Sequence, residues 1–219
     1  VPLVANPIHL SETPTTYRNS PPMLGADTRG VLADVLDKLM SLEIVQKRAP
    51  INDPTNKRKS GYFVVDPLSL FYYRYVFRNA SARQLLDPEV FYDRHVFQDF
   101  EENYVPHMFE EICRQYLVRQ NRTGKIEPAF DAIGKYWYDD PANKTSGEFD
   151  VVTQDPEGYA FYEAKFRKSP ITQKMVDEEI AQVEATGLKC HRYGFFSRSG
   201  FEAGESDRTV FIDLPQMFG

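Results

Sequence analysis

The chain has 219 residues, 42% hydrophobic and 14% aromatic, enough for one large core or two small ones. Its formal net charge of −6 argues against a generic polyanion binder, and no run approaches the roughly 18 uninterrupted apolar residues of a membrane span. No charged stretch leading into an apolar run opens the chain, so no secretory signal is expected. Cys113 and Cys190 lack disulfide or zinc spacing and read as unpaired thiols, which makes a cytoplasmic protein the expectation. The charge is uneven. Residues 1–80 carry ten Lys/Arg against seven Asp/Glu, and the remainder sixteen against twenty-five. A mildly basic front and an acidic back suggest two modules with different tasks.

Residues 1–26 hold five prolines and little periodicity, so they read as an extended arm or a linker from something upstream. With the non-Met start, they suggest a fragment or a processed product. From Asp27, Val31, Leu32, Val35, Leu39 and Leu42 fall at helical spacing, with Asp27 or Thr28 as N-cap. A strand at Ile44–Arg48, a polar loop and a second strand at Tyr62–Val65 complete the outline of a winged helix over 27–80. The wing carries Lys57, Arg58 and Lys59, with Lys47 and Arg48 on the strand entering it and Arg29 at the front of the helix. These six are the candidate DNA contacts, because cations on a hairpin tip can meet phosphates. A merely solvated tip is the competing reading.

Residues 66–79 are rich in aromatics at helical spacing and predict a packing helix between modules, rather than a stacking platform for single-stranded bases. One or two further helices follow over 87–119. The second module, 81–219, then alternates strands near 130–138, 148–154, 159–166, 191–197 and 208–213 with a helix at 171–186, an α/β arrangement with a mixed sheet.

The candidate chemistry sits in "GEFDVVTQDPEGYAFYEAKFRK", residues 147–168, a hairpin over the turn Asp155-Pro156-Glu157-Gly158. A register in which paired positions sum to 313 sets polar against polar and apolar against apolar; a register of 314 mixes them. It assumes that Glu148 and Asp150 share one face and Phe149 and Val151 the other, and it opposes Asp150 to Glu163 and Glu148 to Lys165. Opposed carboxylates are costly unless a cation joins them, and Mg²⁺ suits such hard oxygen donors. Lys165, on the same face, would orient or deprotonate the attacking water, or offset charge on a phosphorane-like transition state. The bland alternative is a surface hairpin with cross-strand salt bridges such as Glu148 with Lys165. In "VPHMFEEICRQYLVRQ", Val105, Phe109, Ile112, Cys113 and Tyr116 define a buried stripe. Glu110 flanks that stripe, either aimed at the site or as a boundary residue, and Glu111 points away to solvent.

An acid on an early helix, an aspartate on a strand and Glu-x-Lys on the next resembles the PD-(D/E)xK nuclease superfamily, on Glu110, Asp150, Glu163 and Lys165. The resemblance implies a restriction-endonuclease-like mixed-sheet domain hydrolysing phosphodiesters with Mg²⁺ or Mn²⁺. Asp150 and Glu163 would hold the metal, Lys165 would serve the water, and Glu110 would hold a water or a second ion. The larger pattern, with "GYFVVDPLSLFYYRYVFRN", "FEEICRQYL", "IGKYWYDD", "FYEAKF" and "FFSRSGF", is similar to the C-terminal region of archaeal-type P-loop ATPases, across residues 27–201. That implies DNA and an upstream ATPase domain or subunit as partners, with an oligomer left open. No G-x-x-x-x-G-K-[ST] occurs, so no ATP site is expected in this chain. Trp137 reads as core. A non-catalytic DNA- or partner-binding module on a nuclease-like scaffold is the alternative function.

Overall fold

The computed structural model describes residues 28–56, 60–140, 145–204 and 206–218. The chain divides into two compact units, residues 1–49 with 53–100, and residues 50–52 with 101–219.

In the first unit, helix α1 (Thr28–Ser41) leads into an antiparallel hairpin of β1 (Val45–Arg48) and β2 (Gly61–Val64), paired from Val45–Val64 to Arg48–Gly61. Val31 and Val35 on α1 are exposed. Two Asp-Pro steps then start helices by the same device. Asp66 accepts the Ser69 amide at the head of α2 (Pro67–Phe71), and after α3 (Ala80–Leu85) Asp87 accepts the Glu89 amide at the head of α4 (Pro88–His95). The aspartate satisfies an orphan N–H, and the proline sits where no N–H is needed. Between them, Tyr72–Phe77 winds as a π-helix. Arg74 grips Asp99, on the single turn α5 (Phe97–Asp99), through Nε and Nη2 at 2.6 and 2.8 Å, and the Tyr75 hydroxyl donates to the same carboxylate at 2.7 Å. The expected packing helix over 66–79 is therefore only partly a packing element. Leu70 and Tyr75 are buried, but Leu68, Tyr72, Tyr73 and Phe77 are exposed.

A second π-helical turn, Phe100–Tyr104, runs into α6 (Val105–Arg122), the long helix of the second unit. Its buried stripe is Phe109, Cys113 and Leu117, spaced by four. Ile112, assigned to the stripe from sequence, is exposed, because the stripe of a straight 3.6-residue helix drifts towards Leu117 rather than back to Ile112.

Five strands follow: β3 (Ala132–Asp140), β4 (Thr145–Asp155), β5 (Gly158–Lys165), β6 (Cys190–Ser197) and β7 (Thr209–Asp213), with α7 (Gln173–Ala185) between β5 and β6 and α8 (Leu214–Phe218) at the end. Spatial order equals chain order. β3, β4 and β5 are antiparallel, and β5, β6 and β7 are parallel, so the sheet is mixed. The hairpin β4–β5 is antiparallel because two residues, Pro156 and Glu157, suffice to turn it. The parallel step from β5 to β6 needs the crossover through α7.

Two apolar clusters separate on this sheet. Phe109, Cys113 and Leu117 of α6 pack with Val151, Ala160, Tyr162, Phe196 and Met217 on one face. Val176 and Val183 of α7 pack with Tyr136, Phe149, Val152, Phe161 and Phe195 on the other. The sheet is covered on both sides, which is why β6 reads as the nearly continuous apolar run Tyr193–Phe196. Gly194 is needed there, since a Cβ on it would stand 2.1 Å from the Tyr162 ring. Tyr136, not Trp137, is the core aromatic of β3. Trp137 is half-buried, and its backbone exchanges hydrogen bonds with the Asn52 side chain.

Candidate functional site: a charged fork between two strands

The β4–β5 hairpin has the register summing to 313, from Asp155–Gly158 through Gln154–Tyr159 to Val151–Tyr162. Asp155 closes the turn by accepting the Glu157 and Gly158 amides, at 2.8 and 3.2 Å. Pairing between the two strands ends at Val151–Tyr162. Below that point β4 pairs with β3, and β5 pairs with β6. Asp150 and Glu163, expected to oppose each other directly, are not a pair but the first residues of a fork. Their carboxylates are near enough that Asp150 opposes ionisation of Glu163.

Strict alternation fails on β4, and this corrects the facial assignment made from sequence. Gly134 pairs with Val152 and Tyr136 with Phe149, so Asp150 and Val151 together oppose the single residue Lys135. That is a β-bulge, which adds one residue and re-aims the side chains beside it. Phe149 consequently packs against the α7 face and Val151 against the α6 face, not both on one.

The bulge creates a charged cluster that sequence reasoning missed. Lys135 Nζ lies 2.8 Å from Glu148 Oε1, 3.3 Å from Asp150 Oδ1 and 3.8 Å from Glu110 Oε2. Glu110 therefore does face the strands, and His107 Nδ1 lies 3.6 Å from the same oxygen. Burial works to lower the Lys135 pKa, but Asp150, Glu110 and Glu148 more than offset it and hold Lys135 as an ammonium. Glu111 is not solvated as expected. It is half-buried and tied to Arg114, one turn further on, at 2.5 Å.

A second cluster lies across the fork. Lys165 Nζ donates to Glu163 Oε1 at 2.5 Å and to Glu179 Oε1 of α7 at 3.0 Å. The cross-strand pair of Glu148 with Lys165 does not form, since each has a different partner. Burial pushes the Glu163 carboxyl up to about 7, against the pull of Lys165, with Glu179 and Asp150 adding to the rise. Burial alone would depress Lys165, and its two carboxylate partners reverse that, leaving it raised. Both lysines of the metal-free fork are therefore held as positively charged donors. Cys113, fully buried on α6 near Glu110 and Asp150, has its thiol pushed far up by burial and is inert.

Two signals could have exposed the missing members. Lys135 interrupts an otherwise apolar and aromatic strand start, "AIGKYWY". Glu179 lies three residues after Val176 and four before Val183, on the buried side of α7.

Of the candidate DNA contacts, Lys47 lies over the Tyr62 ring at 5.8 Å, and Arg48 bonds to Gln46 Oε1 at 3.1–3.2 Å. Arg29 belongs to α1, but its side chain, like Lys57, Arg58 and Lys59, lies outside the described residues. Among the described residues no group of three or more His, Cys, Asp or Glu side chains is arranged as a ready-made metal cage. The carboxylates of the fork nevertheless suit a hard divalent ion by their chemistry. They are oxygen donors converging on positive charge, and in each cluster an ammonium already holds that place.

Fold and site together define a mixed α/β protein with a five-stranded mixed sheet and a charged fork at its β-bulge. The chain belongs to the DUF234 family, archaeal and bacterial proteins of unknown function, whose sequence pattern matches residues 72–182. It is similar to "Uncharacterized protein MJECL04" of Methanocaldococcus jannaschii, 27% identical over 107 residues, 49% of this chain. The matched region spans only 24% of that protein's length. A crystal structure described as "Protein of Unknown Function AF1548" aligns with a TM-score of 0.31 and 16% identity, over 47% of this chain and 58% of that one. No helix among the described residues is long and apolar enough to cross a membrane.

Proposed function

We propose that the chain is a DNA-associated module whose second unit is a PD-(D/E)xK-type, Mg²⁺- or Mn²⁺-dependent phosphodiesterase domain and whose first unit is a winged helix. One observation carries the reading: Asp150 and the Glu163-x-Lys165 pair stand at the same fork of β4 and β5, with Glu110 of the preceding helix α6 reaching Lys135 beside Asp150. That is the order the superfamily's pattern demands.

In this reading Asp150 and Glu163 hold the metal, which when bound polarises the phosphodiester as a Lewis acid. Lys165, fixed by Glu163 and Glu179, directs its ammonium at the charge that develops on the phosphoryl oxygens. Its raised pKa, set by Glu163 and Glu179 against burial, favours the donor role over deprotonation of the water. Glu110 orients the attacking water. The DNA partner and an upstream ATPase domain or subunit follow from the family resemblance, and the larger size of the archaeal relative is compatible with them.

Titration calorimetry tests the metal. The wild type is expected to bind Mn²⁺ at millimolar concentration or below and Asp150→Ala to lose that binding. Absence of heat in both proteins rejects the catalytic reading and leaves the second one, a non-catalytic binding module whose carboxylates are neutralised by its own lysines. The ion pairs of Lys135 and Lys165 are what favour that second reading.

The wing is tested separately. Reversing Lys57, Arg58 and Lys59 to glutamate is expected to weaken DNA binding and to flatten the slope of log K against log salt by up to about three, since each phosphate left without its cation keeps about one counterion. An unchanged slope assigns the tip to solvent.

A further inference from the structure

We propose that Lys135 is the resident counter-cation of the candidate metal site, and that a divalent ion must displace its ammonium from Asp150 to bind. The inference rests on the metal reading above but concerns a residue outside the Asp, Glu-x-Lys pattern. Three elements build the arrangement: α6 supplies Glu110, β4 supplies Glu148 and Asp150, and β3 supplies Lys135. The bulge is what aims it. It sets Asp150 and Val151 together against Lys135, and Asp150 Oδ1 lies 3.3 Å from the ammonium.

The charges are unbalanced in a way that favours exchange. Three carboxylates share one ammonium, so the cluster retains excess negative charge even when Lys135 is in place. A divalent ion sits about 2.0–2.1 Å from each carboxylate oxygen it binds. An ammonium 3.3 Å from the same Asp150 oxygen would then be a close neighbour of like charge. The two cations therefore compete for that oxygen. Lys135 has somewhere to go, because its shortest contact is with the more exposed Glu148, at 2.8 Å. Retreat onto Glu148 keeps the ammonium paired while Asp150 turns to the metal. The lysine thus neutralises the metal-free fork and sets the concentration of ion needed to fill it.

The test measures Mn²⁺ binding directly, by the loss of the free-ion electron paramagnetic resonance signal, in wild type, Lys135→Met and Lys135→Arg. Methionine keeps the length without the charge; arginine keeps the charge. Lys135→Met is expected to bind Mn²⁺ about tenfold tighter than wild type or better, the size of effect a neighbouring charge exerts on an ionic equilibrium. Lys135→Arg should stay near wild type. The melting temperature of Lys135→Met should fall in chelator and recover with Mn²⁺ by more than the wild type gains, which also shows that the variant folds. Wild type and Lys135→Met binding with equal affinity, or Lys135→Met binding more weakly, overturns the role of Lys135 and leaves the metal reading standing. Binding by Lys135→Met alone supports the role and denies the wild type a working metal site. Binding by neither overturns both.

Discussion

Lys165→Met is expected to lower Mn²⁺-dependent cleavage of DNA by about a hundredfold or more while Mn²⁺ binding is retained. The size follows from what the side chain offers: one positive donor, held by two carboxylates, aimed where charge builds in the transition state. Loss of a single such donor costs about 10²–10³ in kcat. Metal binding should survive because Asp150 and Glu163 are untouched, and removing a nearby cation favours the ion. Glu179→Gln is expected to act more weakly, by roughly tenfold, since Glu163 still anchors the lysine that Glu179 holds at 3.0 Å. The measurement is single-turnover cleavage of duplex, single-stranded and branched DNA, with Mn²⁺ affinity recorded on the same samples. Undiminished cleavage by Lys165→Met removes this lysine from the chemistry.

The largest effect on stability is expected at Phe196. It is fully buried, with its ring edge-on to Tyr116 of α6 at 5.9 Å and tilted against Tyr162 of β5 at 6.1 Å. Phe196→Ala leaves a void between helix and sheet that neither tyrosine can fill without leaving its own contacts. The expected cost is about 3–5 kcal/mol. Phe77→Ala, in the first unit, removes a ring that is 54% exposed and should cost less than about 1 kcal/mol. Calorimetry on both variants checks the contrast, with the two units allowed separate transitions. Equal losses would mean that Phe196 does not tie α6 to the sheet.

Much of the second unit was legible because its signals are local. Polar and apolar residues alternate across the hairpin in only one workable register, so the sum of 313 follows from the sequence. The strands at 130–138, 148–154, 159–166, 191–197 and 208–213 were likewise legible, since β-branched and aromatic runs between turn residues have few other uses. The errors have a common origin in tertiary contacts. Perfect alternation was assumed through Phe149, Asp150 and Val151, but a bulge depends on which residue of β3 lies opposite, and that pairing is not local. The stripe of α6 holds at Phe109, Cys113 and Tyr116 but takes in Leu117 in place of Ile112, two residues equally apolar in sequence. Only the packed sheet selects between them. The aromatics of 68–77 look like one buried face, whereas the π-helical winding of Tyr72–Phe77 rotates Tyr72, Tyr73 and Phe77 outwards and Tyr75 inwards.

The sequence by itself determined the mixed sheet, the hairpin register and the proximity of Asp150 to the Glu163-x-Lys165 strand, because turn chemistry and binary patterning act over a few residues. Only the tertiary structure decided the company those residues keep. Glu110 reaches the fork because α6 lies against that face of the sheet, and Glu179 reaches Lys165 because α7 covers the other. Lys135 meets Asp150 because β3 pairs with β4 at the bulge, where Asp150 and Val151 share that one partner. Register can be counted along a chain, but the partner of a charge is set by which elements pack across it.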